Sequence, residues 1–121
     1  MVWLAALEFI LVWAPLTLFA PPVYLHMILG IIVFALAYSN ASKLSKTSCP
    51  ARIRRIVKAT VGLLVFEGLL GMLLYFRNAA SLPALVAGAA SFLHLGTALA
   101  IVTQAASTAT AYDMWEEKEF A

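Results

Sequence analysis

The chain has 121 residues, 64% of them hydrophobic and only 12% charged, with a mean hydropathy of +0.94. A soluble domain this small leaves much of its chain in water, and an average one is about a quarter charged, so the composition excludes that class and points to the membrane. Eight Lys and Arg against six Asp and Glu give a net charge of +2, but six of those eight crowd between Lys43 and Lys58. Clustering of that kind carries membrane topology, and it gives no reason to expect a nucleic-acid partner. The single cysteine, Cys49, excludes an intrachain disulfide and a Cys-rich metal site.

About 20 apolar residues span the hydrocarbon core as a helix, because only a helix satisfies its own backbone there. Four stretches qualify. The first runs from about 2 to 20, interrupted by Glu8 and Pro15. No basic residue precedes it, and Leu18-Phe19-Ala20 lacks a small-x-small cleavage pattern, so it reads as a retained span and not a leader. Pro21-Pro22 predicts a tight turn into a second span of about 23–39. A basic loop over 40–58 follows, and then a third span of about 59–76 that ends at Arg77-Asn78. The last apolar stretch, Ser81 to Tyr112, would extend roughly 48 Å as a helix against a core of about 30 Å. Pro83 and Gly88 predict a separate interfacial piece at its start, which leaves a span of about 88–110 and an acidic tail over 113–121.

The expected architecture is an all-α, integral membrane four-helix bundle: one domain, multi-pass, in the cell membrane. The positive-inside rule places the basic loop in the cytoplasm, and both termini with it. Trp3, Trp13 and Trp115, with Tyr24, Tyr75 and Tyr112, fall near the expected interfaces and read as an aromatic belt. Membrane lipid is the partner this implies.

Ionisable groups inside a membrane are costly and mark sites by default. The spans contain four: Glu8, His26, Glu67 and His94. The two hairpins echo each other, each with a glutamate on its first helix and a Leu-His pair on its second (Leu25-His26 and Leu93-His94). No nucleophile elbow, phosphate loop, HExxH or CxxC pattern is present, so chemistry rests on these four residues or on a cofactor. Two imidazoles facing each other across a bundle can ligate haem iron axially, which makes His26 and His94 the candidate metal ligands. Gly30 lies one turn after His26 and would leave room for a flat macrocycle. Arg77, at the outer end of the third span, is placed to pair with haem propionates. The plainer alternative is that each histidine hydrogen-bonds a neighbouring helix. Glu67 is a candidate proton relay, with a helix–helix hydrogen bond as its alternative; Glu8, nearer the interface, reads as structural.

The string Phe66-Glu67-Gly68-Leu69-Leu70-Gly71, followed by Ser91-Phe92-Leu93-His94-Leu95-Gly96-Thr97-Ala98, resembles one half of the haem A synthase family. Leu25-His26-Met27-Ile28-Leu29-Gly30 is similar to that family's other ligand helix, and the basic loop also agrees. The resemblance covers about residues 20–110. It implies a compact, half-length member, or a similar small b-type membrane cytochrome, with His26 and His94 as the axial pair of a b-type or related haem. It further implies respiratory electron transfer or haem A-type cofactor processing. The family's glutamate before the first histidine is Val23 here, and its following arginine is Met27; a haem-dependent oxidoreductase role is therefore left open by the residues themselves. The other function class that fits is a non-catalytic accessory subunit of a larger membrane complex, such as a respiratory oxidase or a quinone-linked complex.

Overall fold

A computed structural model describes residues 2–11, 22–77 and 81–120, and these are all α. The helices are α1 (Val2–Leu11), α2 (Pro22–Leu44), α3 (Ala51–Tyr75) and α4 (Ala84–Phe120). Three of them, α2, α3 and α4, are long and apolar enough to cross a membrane. No more than 17% of the most apolar window of any of the three is buried inside the protein, so their outward faces need an apolar solvent. Ile31, Leu69, Leu85 and Phe92 all stand on those faces. This is a multi-pass membrane protein. The second half of the first expected span, and Pro21 of the expected turn, lie outside the described residues.

α1 packs against α2 and α4, and α3 packs against the same two, so the helices close a ring with α2 and α4 on its diagonal. Val2 of α1 lines one cleft together with Leu44 of α2, Val57 of α3 and Tyr112 of α4. The start of α1, the end of α2, the start of α3 and the last third of α4 therefore share one end, and neighbouring helices run antiparallel. That end carries the basic cluster. His26, near the start of α2, lies toward the other.

The interior is made of stripes at helical spacing. On α2 the stripe is His26, Gly30, Val33, Ala37; on α3 it is Ile53, Val57, Thr60, Glu67, Gly71; on α4 it is Ala90, His94, Ile101, Ala105. Val33 and Ala37 are wholly inaccessible, and Ala5, Ala90 and Ala105 are buried with them. Small residues are what let helices approach closely where hydrophobic collapse gives no drive. One polar contact sits among them: the Thr60 hydroxyl lies 3.0 Å from the Ile56 carbonyl oxygen and 2.8 Å from Gln104 Oε1. A hydroxyl has one proton to donate, so an amide turned end for end, with its NH₂ donating to Thr60, satisfies both contacts at once. This bond fastens α3 to α4 at mid-bundle.

Three boundaries differ from the hydropathy reading. First, α3 begins at Ala51, so Arg52, Arg54, Arg55 and Lys58 occupy its opening turns and the loop shrinks to Ser45–Pro50. Three arginines oppose the positive end of the helix dipole, a cost that water at the membrane surface screens. Second, Pro83 starts α4 where a break was expected: its carbonyl accepts the Ala87 N–H at 3.0 Å, and the helix runs unbroken through Gly88. Proline suits a first turn because that N–H would be orphaned anyway. Ser81, with φ of 49°, makes the reversal into this start. Third, the acidic tail is helical to Phe120, which makes α4 37 residues and about 55 Å long.

This extension is packed. Tyr112 and Trp115 lie against a buried cluster of Cys49, Ile53 and Val57, with Ala41 and Leu44 at its edge. Trp115 is thus a packing residue of the basic end, where the sequence suggested a belt anchor. The loop beneath it closes without glycine. Thr47 Oγ1 donates to the Leu44 carbonyl at 2.9 Å, the Cys49 N–H donates to Thr47 Oγ1 at 3.3 Å, and Arg54 Nη1 donates to the Thr47 carbonyl at 3.0 Å.

Burial pushes the Cys49 thiol above its ordinary value of 9.0, and the Arg54 guanidinium pulls it partly back. A maleimide should therefore label Cys49 slowly in the native protein at pH 7.5 and rapidly after denaturation; equal rates would contradict the packed loop. The folded state holds that proton more tightly than the unfolded chain. Stability should accordingly be intact below the ordinary thiol value and fall as pH rises beyond it, with Cys49→Ser blunting the alkaline loss.

Candidate functional site

The site follows from depth. Glu67 lies eight residues before the end of α3, and His94 lies ten residues after the start of α4. Neighbouring antiparallel helices joined by a short connection put such positions at one level. His94 Nδ1 is 3.0 Å from Glu67 Oε1, with 23% of the His94 side chain and 15% of the Glu67 side chain exposed. The second carboxylate oxygen, Oε2, is buried with no hydrogen-bond partner among the described residues.

His26 completes the group from the far side. Its ring and that of His94 stand 6.0 Å apart, centre to centre, with planes at 85°. Among the described residues no Cα of α2 comes within 8 Å of one on α4. These two rings reach across the diagonal of the bundle and meet near its axis.

Gly71, one turn after Glu67, makes room for this. A Cβ at that position would stand 3.4 Å from His94 Cε1 and 4.0 Å from Nε2. The edge of the imidazole that carries Nε2 therefore lies against bare α3 backbone. Toward the same end, Tyr24 of α2 and Tyr75 of α3 are side-chain neighbours.

The structure thus brings His26, Glu67 and His94 together. Gly30 is half-buried on the His26 stripe. Arg77 is exposed just beyond α3, where its carbonyl accepts the Leu82 N–H at 3.1 Å, and its side chain is not drawn to the histidines. Glu8 lies on α1, but its side chain falls outside the described residues. Sequence reasoning missed two contacts, the pairing of Glu67 with His94 and the bond between Thr60 and Gln104. Counting equal depths from the α3–α4 connection would have found the first. Thr60 stands seven residues before Glu67 on one stripe, a spacing that marks it as interior.

Chemically, the cluster offers two imidazoles and a carboxylate in low-dielectric surroundings. A carboxylate on one ring nitrogen fixes the tautomer and leaves the other nitrogen to ligate, the usual arrangement behind a metal-bound histidine. Among the described residues no three His, Cys, Asp or Glu side chains converge as a set that could hold a metal ion by themselves. A metal at this place would need most of its ligands from elsewhere.

No family model matches the chain, and no curated protein or solved structure is similar to it at the level that marks a relative.

The Gly71 contact yields an expectation. Gly71→Ala, whose Cβ arrives at ordinary contact distance, should change stability by under about 1 kcal/mol, the scale of a helical glycine replacement. Gly71→Leu must displace the His94 ring and should cost about 1–3 kcal/mol in reversible unfolding from mixed micelles. Equal tolerance of both would show that the ring does not rest on that backbone.

Proposed function

We propose that this chain is a membrane haem protein, with His26 and His94 as axial ligands to one b-type or related haem and Glu67 holding His94 in place. The observation that carries the reading is the meeting of two imidazoles from diagonal helices at 6.0 Å. Two imidazoles at this separation could hold one iron between them, His94 through the ring nitrogen that does not face Glu67. Perpendicular ring planes are compatible with a shared axis. A tetrapyrrole brings four equatorial nitrogens, which supplies the ligands that the protein lacks around this pair.

Bound here, a haem would supply one-electron chemistry. The chain's own residues set its surroundings. Glu67 Oε1, 3.0 Å from His94 Nδ1, would orient the ring through its charge and raise the basicity of the remaining nitrogen. Buried Ala90, Leu70 and Val33 keep water from the axis. Gly71 lets the His94 ring rest against the α3 backbone, and Gly30 is half-buried on the His26 stripe. Arg77 would meet propionates only by swinging in from its exposed position.

The basic end, with Arg52, Arg55 and Lys58 exposed, faces the cytoplasm by the positive-inside rule, together with both termini. The histidines then lie in the outer half of the membrane. The reading agrees with the resemblance to half of a haem A synthase and extends to respiratory electron transfer or haem A-type processing. Val23 and Met27 in place of that family's glutamate and arginine favour electron transfer over the oxidative step.

The test is a reduced-minus-oxidised spectrum of the full chain purified in detergent. Soret and alpha bands are expected, lost or converted to five-coordinate spectra in His26→Ala and in His94→Ala. Glu67→Ala should weaken haem retention about 10–100-fold, the usual effect of removing a group that orients a ligand. A spectrum without these bands, from protein that co-purifies stoichiometrically with a larger complex, would replace this reading with the accessory-subunit one.

A further inference from the structure

The basic end holds a half-open cleft of about 400 Å³, at the low end of the range for ligand pockets. All four helices line it. Ala37, Ala105 and Ala109 create the hollow by their small size, and Thr60 forms part of its lining with its hydroxyl already engaged. Three lining groups have no partner among the described residues. The Thr108 hydroxyl oxygen is buried with no hydrogen-bond partner among the described residues. That is unusual for this chain: Thr60, Ser91, Thr103 and Thr110 each return their hydroxyls to the carbonyl four residues back. Lys43 on α2 and Asp113 on α4 are exposed at the cleft, and neither is in an ion pair with another described residue.

We infer that this cleft binds the zwitterionic head group of an amine-bearing phospholipid, its phosphate against Lys43 and the Thr108 hydroxyl and its ammonium against Asp113. A cation and an anion that flank one hollow without joining each other match a ligand carrying both charges. A purely anionic head group would be repelled by Asp113, and a purely cationic one by Lys43. The depth selects a lipid over a free zwitterion, because the cleft opens where the apolar span of α2 ends, at Leu44. Phospholipid head groups lie at that level, and the outward apolar faces of the spans receive the acyl chains. The Thr108 hydroxyl, which solvent does not reach, turns about its Cα–Cβ bond to gain the acceptor that it lacks. The site is separate from the histidines and does not depend on haem.

The test uses the full chain in detergent, delipidated and then offered phosphatidylethanolamine, phosphatidylcholine and phosphatidylglycerol in turn, with bound lipid read by native mass spectrometry. Phosphatidylethanolamine should be retained about tenfold better than phosphatidylglycerol, and better than phosphatidylcholine, whose quaternary ammonium donates no hydrogen bond to Asp113. Lys43→Ala and Asp113→Ala should each lower retention about tenfold, and Thr108→Val several-fold, with helical circular dichroism and Cys49 protection unchanged. Equal binding of phosphatidylglycerol would overturn the proposal, as would variants that bind like the parent chain. Free phosphoethanolamine binding as tightly as the lipid, by calorimetry, would also overturn it, because the ligand would then be a soluble zwitterion.

Discussion

A carboxylate or an imidazole in hydrocarbon has no water to turn to, and this chain answers by placing Glu67 3.0 Å from His94. Much of the bundle follows from that demand. The two residues must sit at one depth, which fixes how α3 and α4 pass each other. A residue no larger than alanine must stand at 71 for the ring edge to rest against α3. α2 must bring His26 to the axis from the opposite corner, which keeps the α2 and α4 backbones apart at that level. The alanines deeper along the same stripes then let the ring of helices close where no ionisable group stands in the way.

The molecule divides accordingly into two polar ends and an apolar waist. Toward one end the histidine cluster is largely, though not wholly, covered by protein. Toward the other, Thr60 and Gln104 mark the last internal hydrogen bond before the cleft opens among charged residues. Between them Val33 and Ile101 are nearly inaccessible and carry no polar atoms on their side chains. A waist of this kind separates whatever happens at the histidines from the ionic environment at the basic end, because moving a charge through it meets the full desolvation cost.

How much of this was legible in the sequence depends on which physical quantity each residue reports. Hydropathy reports the solvent of a segment, so α2, α3 and α4 were found as spans. It does not report where a helix ends. Arg52, Arg54 and Arg55 are polar and helical at once, and this moved the start of α3 by two turns. Pro83 was read as a break because proline obstructs a helix from within, yet as the residue before a first turn it is an opener. The four ionisable positions stood out by their cost alone, and the structure brings three of them together. Which partner each would choose was hidden, because pairing depends on depth and rotation, and those follow from the packing of small residues that hydropathy does not weigh. Thr108 and Gln104 were hidden for a similar reason: in a polar stretch near a membrane boundary, nothing in composition distinguishes a solvated hydroxyl from a buried one.

The unbroken course of α4 has a mechanical side. His94 sits near one end of an unbroken helix of 37 residues, and the acidic residues sit at the other. From His94 to Glu119 is 25 residues, about 38 Å of rigid rod. Pivoted at the histidine, a tilt of about 10° sweeps the acidic tip through roughly 6–7 Å, whereas the same tilt displaces the short segment on the near side by less than half as much. A broken helix would have absorbed such a movement at its joint. Unbroken, α4 ties the depth of His94 to its far end, where Trp115 and Tyr112 pack against the loop that buries Cys49.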